Sequence, residues 1–169
     1  RALELDPQNR LALAGLSSSH VAAGQPRQAE SYLGRLREIE GQSRRVRYLE
    51  AEAAVAARDY DLSTDIYESL LKEDPADPRA ARGLVLSYLK AGQAGVSLAV
   101  AADELPALFE DKDFLKLSAA ALRGVSRTDM AVPVYRRVAV TWPSPESNAD
   151  LESAILGAYI EAAETARHR

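Results

Sequence analysis

The sequence predicts an all-helical protein built from a repeated helical hairpin, and two observations support this prediction. Of the 169 residues, 31 are alanine, whereas glycine and proline together number 17. Alanine is the residue that loses least on entering a helix, so this composition favours helix. The chain also shows similar residues every 34 positions between Arg10 and Pro145. A fixed period of this size is typical of proteins that stack one structural unit along the chain.

Two columns of this period mark places where the chain turns. The column at the end of each repeat contains three prolines and one glycine: Pro7, Gly41, Pro75, Phe109 and Pro143. Proline interrupts a helix interior but suits the first helical turn. The column in the middle of each repeat consists of Gly24, Arg58, Gly92 and Ser126. We expect a tight turn with positive φ at this second column, because glycine adopts such a conformation readily.

Further columns are small or apolar, which predicts that two helices pack closely within each repeat. The small columns are Ser17, Ala51, Val85 and Ala119, and Ala29, Ser63, Ser97 and Ala131. The apolar columns are Leu33, Tyr67, Ala101 and Tyr135, and Leu36, Leu70 and Val138, with Glu104 as the departure. Each repeat is therefore predicted to contain a first helix of about 14 residues and a second of about 13.

The period divides the chain into units. Residues 1–9 are predicted to end a preceding repeat, and full repeats are predicted at 10–43, 44–77, 78–111 and 112–145. We expect an irregular second helix in the repeat 78–111, because Glu104 occupies an apolar position and Pro106 ends the helix early. Residues 146–169 are predicted to form one helix, either a cap or the first helix of a further repeat.

These units resemble tetratricopeptide repeats. The segments ALELDPQN at 2–9 and LLKEDPAD at 70–77 match the closing stretch of that repeat. The family pattern also favours an aromatic residue where His20, Ala54, Tyr88 and Leu122 stand, and only Tyr88 fits it. The pattern favours Trp or Leu where Leu13, Arg47, Ala81 and Leu115 stand, and Arg47 departs from it. The resemblance implies a right-handed superhelical α-solenoid, cut from a longer bacterial array, that acts as a non-catalytic protein-binding scaffold.

The residue types give little support for an enzyme. Cysteine is absent, the two histidines are His20 and His168, and no phosphate-binding or nucleophile motif occurs. His20 lies in a packing column. The acidic pairs, Asp59 with Asp61 and Asp111 with Asp113, lie at predicted helix starts, where acidic side chains stabilise the helix through its dipole. We therefore expect no catalytic residue, no metal site and no cofactor. The net charge of -4 argues against nucleic acid as a partner, and no segment is long and apolar enough to span a membrane.

The resemblance places the binding site in a groove lined by the first helix of each repeat. The groove positions of the last three repeats include six basic residues and two acidic ones, whereas those of the first repeat are mostly apolar. We therefore predict a basic groove and a partner segment that is acidic. The candidate residues are Arg45, Tyr48, Glu52, Arg79, Arg82, Leu86, Leu89, Lys90, Lys116 and Arg123.

Three other interpretations stay open. The basic side chains could simply solvate an unused face. The segment could instead be a rigid spacer that recruits partners within a bacterial envelope machine, such as the periplasmic part of an exopolysaccharide exporter, which it resembles in composition and architecture. Direct binding of an anionic polymer is the third. Apart from these functions, the chain could self-associate through the exposed ends of the solenoid. The compartment stays open, although the absence of cysteine slightly favours the periplasm over the cytoplasm.

Overall fold

The computed structural model describes residues 2–108 and 111–167, with side chains for all of these except 102–108. The described residues form ten helices and no strand. The helices are α1 (Ala2–Leu5), α2 (Arg10–Ala22), α3 (Pro26–Glu40), α4 (Arg44–Ala57), α5 (Tyr60–Glu73), α6 (Pro78–Lys90), α7 (Ala94–Leu108), α8 (Lys112–Gly124), α9 (Thr128–Thr141) and α10 (Pro145–Arg167). The first helices α2, α4, α6 and α8 start one period apart, and so do the second helices α3, α5, α7 and α9.

The chain forms two compact units, Arg1–Ala91 and Gly92–Arg169. In the N-terminal unit, each of the helices α2 to α5 packs against the next one along the chain. The first helices of this unit also lie side by side, α2 against α4 and α4 against α6. In the C-terminal unit, α7, α8, α9 and α10 pack consecutively in the same way. The predicted all-α architecture of consecutive helical hairpins is confirmed.

The small columns lie in the helix interfaces, as the sequence predicts. All members of both columns have no exposed surface: Ser17, Ala51, Val85 and Ala119, and Ala29, Ser63, Ser97 and Ala131. The hydroxyl of Ser17 donates to the carbonyl of Ala29 at 3.3 Å, across the hairpin. Small side chains let helix backbones approach closely, and a serine hydroxyl can be buried there because it finds a carbonyl acceptor.

The predicted turn column is confirmed at all four positions. The φ angles are 67° at Gly24, 65° at Arg58, 77° at Gly92 and 55° at Ser126. After α4, the backbone N–H groups of Arg58 and Asp59 donate to Val55 and Ala54, which closes the last helical turn. Arg58 and Ser126 adopt this left-handed conformation although a Cβ atom makes it unfavourable.

The start of each first helix carries a capping residue, in a column that the sequence prediction did not include. Asn9, Ser43, Asp77 and Asp111 occupy the same position of successive repeats, and each side chain accepts a backbone N–H in the first turn of α2, α4, α6 and α8. The distances from these oxygens to the nitrogen three residues later run from 2.8 to 3.3 Å. This is the usual way in which orphan N–H groups at a helix start are satisfied.

The predicted early end of the second helix at Pro106 is wrong, because α7 continues to Leu108. Proline removes one backbone hydrogen bond and crowds the preceding turn, but so close to the end of a helix this loss is local. A second proline, Pro133, lies inside α9, which continues to Thr141. There the helix is anchored by buried residues on both sides of the proline, Ala131 and Tyr135. The packing of Glu104 lies outside the described side chains.

Helix α10 is 23 residues long, whereas α2, α6 and α8 have 13 each. The reason is visible in the turn column, where the next position after Ser126 is Ile160. A β-branched side chain makes a positive φ strongly unfavourable, so the chain does not turn there. The helix therefore runs on to Arg167, past the point where the other first helices end.

Candidate partner-binding surface

The first helices of the N-terminal unit present a common surface, which we call the first-helix face. It consists of side chains on α2, α4 and α6 at equivalent positions of the repeat. Near the starts of α4 and α6 this face carries Arg45, Arg79 and Arg82, and Glu52 lies further along α4, at the same repeat position as Leu86 in α6. Near the ends of α2, α4 and α6 it is apolar, with the half-buried residues Val21, Val55, Leu86 and Leu89. The face therefore has a charged part and an apolar part.

Arg45 is bound to an acidic residue of the preceding helix. Its Nε atom lies 3.1 Å from Glu40 Oε2, and a second bond joins its Nη2 atom to Oε1. The side chain of Glu40 is only 8% exposed and also lies 3.9 Å from Arg10. The hydrogen bond from Arg45 lowers the pKa of the Glu40 carboxyl, against the opposing effect of burial. Arg45 and Glu40 therefore neutralise one another on this face.

Arg79 joins α6 to α4 within the charged part of the face. Its Nη2 atom lies 2.6 Å from Glu52 Oε1, which pairs two of the residues predicted from the sequence. Its guanidinium carbon lies 4.1 Å from the ring centre of Tyr48, a cation–π contact that joins α6 to α4. Arg82 donates from Nε to the carbonyl of Pro78 at 3.3 Å. The structure thus brings Tyr48, Glu52 and Arg79 into one cluster.

Tyr48, a candidate groove residue, is only 5% exposed, so its ring offers little contact area to a partner. Its hydroxyl donates to Asp77, and its ring lies against Tyr67 as well as under Arg79. Burial, followed by the hydrogen bond to Asp77, raises the pKa of the Tyr48 hydroxyl to about 12. The resemblance to tetratricopeptide repeats places Tyr48 at a groove position, but it does not show that the next hairpin covers the ring.

Asp77 is the structural centre beneath this cluster, and it was not among the residues predicted from the sequence. It caps α6 by accepting from the backbone N–H groups of Arg79 at 2.9 Å and Ala80 at 3.2 Å. Its other oxygen accepts from Tyr48 and from Arg44 of α4. Burial alone would raise the pKa of the Asp77 carboxyl, but these four hydrogen bonds together lower it. The capping column Asn9, Ser43, Asp77 and Asp111 is the sequence signal that could have identified it.

Two of the selected cations belong to the C-terminal unit. Lys116 lies 2.6 Å from Glu146 and 3.0 Å from Asp150, so it joins α8 to α10. The hydrogen bonds from Lys116 to these two carboxylates raise its pKa. Arg123 is exposed near the end of α8, where it lines a small cavity with Thr128 and Glu161.

At least three of the six cations of the predicted basic groove are paired with acidic residues. Arg45 pairs with Glu40, Arg79 with Glu52, and Lys116 with Glu146 and Asp150. Lys90 at the end of α6 is exposed. The acidic residues Glu40, Glu146 and Asp150 come from outside the groove positions, so a count of charges at those positions alone does not include them.

A concave surface lies on another side of the N-terminal unit. It is a cavity of about 680 Å³ between α3, α4 and α5. Its floor is formed by alanines of α4, including Ala53 and Ala57, and one wall is formed by Leu62 and Ile66 of α5. The ion pair between Arg37 Nε and Glu50 Oε1, 2.6 Å long, lies at this cavity. Leu62 is 48% exposed, so this surface also offers apolar contact area.

His20 has the packing role that its position in the repeat indicates. Its ring stacks on that of Tyr32, with ring centres 5.4 Å apart, and its Nδ1 atom lies 2.8 Å from Gln25 Oε1. Among the described side chains, no group of three or more His, Asp or Glu residues is arranged to hold a metal ion. No helix within the described part of the chain is long and apolar enough to cross a membrane.

The fold and the repeat pattern define a class, the all-α proteins built of tandem helical hairpins, and comparison with known proteins identifies the hairpin. Residues 1–53 match the tetratricopeptide repeat family model. The resemblance to tetratricopeptide repeats is thereby confirmed, and the described chain has the fold of these proteins. No curated protein sequence matches the chain.

Several solved structures have the same fold. A tetratricopeptide repeat protein from Parabacteroides merdae is 18% identical with a TM-score of 0.78, over 90% of this chain and 60% of that one. A thermophilic tetratricopeptide repeat protein of Thermus thermophilus is 14% identical with a TM-score of 0.74, over 92% and 89%. MamA from Desulfovibrio magneticus is 18% identical with a TM-score of 0.65, over 95% and 96%. The chain thus spans 60% of the length of the Parabacteroides protein.

Proposed function

We propose that this chain is a non-catalytic scaffold that binds a segment of another protein on its first-helix face. The observation that carries the proposal is the apolar part of that face. Val21, Val55 and Leu89 occupy one column of the repeat, each is half-buried, and each lies near the end of a first helix. Since α2, α4 and α6 lie side by side, these side chains recur across neighbouring helices and offer repeated apolar contacts to a segment that crosses them.

The charged part of the face supports a partner with acidic side chains next to its apolar ones. Arg79 is about half exposed and its partner Glu52 is 32% exposed, so a carboxylate of the partner protein could replace Glu52 at Arg79. Such an exchange keeps the guanidinium paired and leaves Glu52 in contact with solvent, so it adds specificity and orientation more than binding energy. The apolar part is therefore expected to contribute most of the affinity, and the charged part to fix the direction of the segment.

The proposal is tested by comparing two substitutions in the N-terminal unit. Leu89→Glu places a charge in the apolar part of the first-helix face, whereas Leu62→Glu places one at the cavity between α3, α4 and α5. We expect Leu89→Glu to weaken capture of the partner from cell extract at least tenfold, and Leu62→Glu to leave it within twofold. Circular dichroism of both variants shows whether the helices are intact. Equal capture by Leu89→Glu, or loss only with Leu62→Glu, would place binding elsewhere.

The alternative function is a rigid recruitment spacer of a bacterial envelope machine. The observation that favours it is that Arg45, Arg79 and Lys116 are already neutralised within the chain, which suits a face that solvates rather than binds. A spacer would bind through its other surfaces, such as the cavity at Leu62. The same pair of variants separates the two functions, because a spacer of this kind would be affected by Leu62→Glu alone or by neither.

A further inference from the structure

Helix α10 carries an apolar stripe that nothing in the described residues covers. Leu156, Tyr159 and Ile160 are 62%, 72% and 50% exposed. Spacings of three and four place these residues, together with Ala163, on one side of the helix. The opposite side carries the buried residues Ser147 and Ala154. That opposite side packs against α9, so α10 has one occupied face and one unpartnered apolar face.

The repeat shows what kind of element such a face accepts. Leu122 occupies the position equivalent to Leu156 in the preceding repeat and is buried in a cluster with Ala131 and Tyr135 of α9. In the same column His20 stacks on Tyr32 of α3. In these hairpins the equivalent side of the first helix is covered by the second helix, which follows a tight turn and runs back along it. The exposed stripe of α10 therefore has the shape that an antiparallel helix covers.

We propose that the stripe is covered by α10 of a second copy of this chain, in an antiparallel pair centred between Tyr159 and Ile160. In that register Leu156 lies opposite Ala163 of the partner subunit, so a large side chain meets a small one. Glu152 lies opposite Arg167 of the partner subunit, and the side chains of Glu152 and Arg167 are both exposed on α10. A two-fold axis forms each contact twice, as in any isologous dimer.

The charges of α10 select this arrangement over a parallel one. A parallel pair in register would place Glu152 opposite itself and Arg167 opposite itself, and like charges in such positions repel. The antiparallel pair places each of these residues opposite its counterion. Glu146, Asp150 and Glu161 do not oppose the pairing, because they are engaged elsewhere, the first two with Lys116 and the third with Thr128.

The interface consists of one helix side from each copy, which places its area at the low end of stable interfaces. A reversible dimer with a dissociation constant in the roughly micromolar range is therefore expected. The contact uses only the C-terminal unit, so it is independent of binding at the first-helix face.

The absence of cysteine allows the register to be tested directly by disulfide formation. Chains carrying Leu156→Cys and Ala163→Cys are mixed under mild oxidation, with a tag on one of them. A disulfide needs Cα atoms within about 7 Å, so the mixed 156–163 product is expected to exceed both self-products. Val140→Cys is the control, since Val140 is 76% exposed on α9. Cross-linking of Val140→Cys at the same rate, or a predominant 156–156 product, would overturn the proposed register.

Sedimentation equilibrium of the unmodified 18.3 kDa chain gives the second measurement. We expect a monomer–dimer equilibrium that Ile160→Glu weakens at least tenfold. Glu152→Arg and Arg167→Glu should each weaken it about two- to fivefold, and the double swap should restore it, because rim ion pairs contribute little individually. A chain that stays monomeric at about 100 μM, well above the expected dissociation constant, would overturn the proposal.

Discussion

Asp77 shows how one side chain joins neighbouring repeats of this chain. It caps α6 and also accepts from Tyr48 and Arg44, both on the preceding first helix. Asp77 therefore lies at the end of the connection between two hairpins and also fixes the position of α4, the first helix of the preceding hairpin. A buried carboxylate with this many donors is stabilised in its charged form, which is why its pKa is lowered.

The role of Asp77 predicts a pH-dependent stability. Because its pKa is lower in the folded state than in the unfolded state, its contribution is fully present above the unfolded value of about 4 and is lost as the pH falls through the folded value. Asp77→Asn should lower the free energy of unfolding by about 1–3 kcal/mol at pH 7. Urea unfolding should show this difference in the free energy of unfolding shrinking between pH 5 and pH 3.

Asp74→Asn is the control, because Asp74 is a more exposed partner of Arg44, and it should change the free energy of unfolding by less than about 1 kcal/mol. A constant difference for Asp77→Asn at all pH values would contradict this assignment.

Gly83 is required because the ring of Tyr67 packs directly over it. A Cβ atom at position 83 would lie only 2.7 Å from Cε2 of Tyr67 and closer still to two other ring atoms. Tyr67 is 4% exposed and has little room to move. Gly83→Ala is therefore expected to destabilise the chain by about 1–3 kcal/mol through overpacking.

Gly15 provides a matched control for this substitution. It lies inside α2, and nothing lies within 4 Å of the position that its Cβ atom would occupy. Gly15→Ala should therefore stabilise the chain by about 0.5–1 kcal/mol through helix propensity alone. Thermal unfolding of the two variants measures both changes in stability. If Gly83→Ala and Gly15→Ala changed the stability in the same direction, contact with Tyr67 would not be the cause of the effect at position 83.

The hairpin turns are the elements that the sequence predicts most accurately. The turn column was visible because glycine occupies two of its four positions, and all four positions adopt a positive φ. The small buried columns were visible for a similar reason, since close backbone approach restricts the choice of side chain. The end of α7 was not predicted, because a proline near a helix end removes a single hydrogen bond and leaves the preceding turns intact.

Arg58 gives a prediction at this scale. It adopts a φ of 65° in the turn between α4 and α5, a conformation that costs a residue with a Cβ atom about 1 kcal/mol or more. Arg58→Gly removes that cost and is expected to stabilise the chain by about 0.5–1 kcal/mol, because the greater freedom of glycine in the unfolded chain offsets part of the gain. Gly24→Ala reverses the exchange at the equivalent turn and should destabilise the chain. Chemical denaturation measures both, and destabilisation by Arg58→Gly would mean that its side chain contributes more than its backbone conformation costs.

For the whole molecule, the sequence predicted the architecture better than it predicted the binding surface. The architecture depends on local rules that recur in every repeat, so each column supports the others. The surface depends on which charges meet across helices, and this information is not periodic. Arg79 of α6 meets Glu52 and covers Tyr48, both of which lie on α4 in the preceding repeat. Such pairings neutralise part of the charge on a face that is basic by sequence position, and an apolar part lies beside it.

The central claim is that a partner protein lies on the first-helix face, and site-specific photo-cross-linking tests it most directly. A photoreactive side chain is introduced at Leu89, or at Leu62 as the matched position on the other surface, and the chain is irradiated in the cells that produce it. We predict a discrete adduct with one partner protein from position 89 and none from position 62. An adduct from position 62 alone, or none from either position, would contradict the claim.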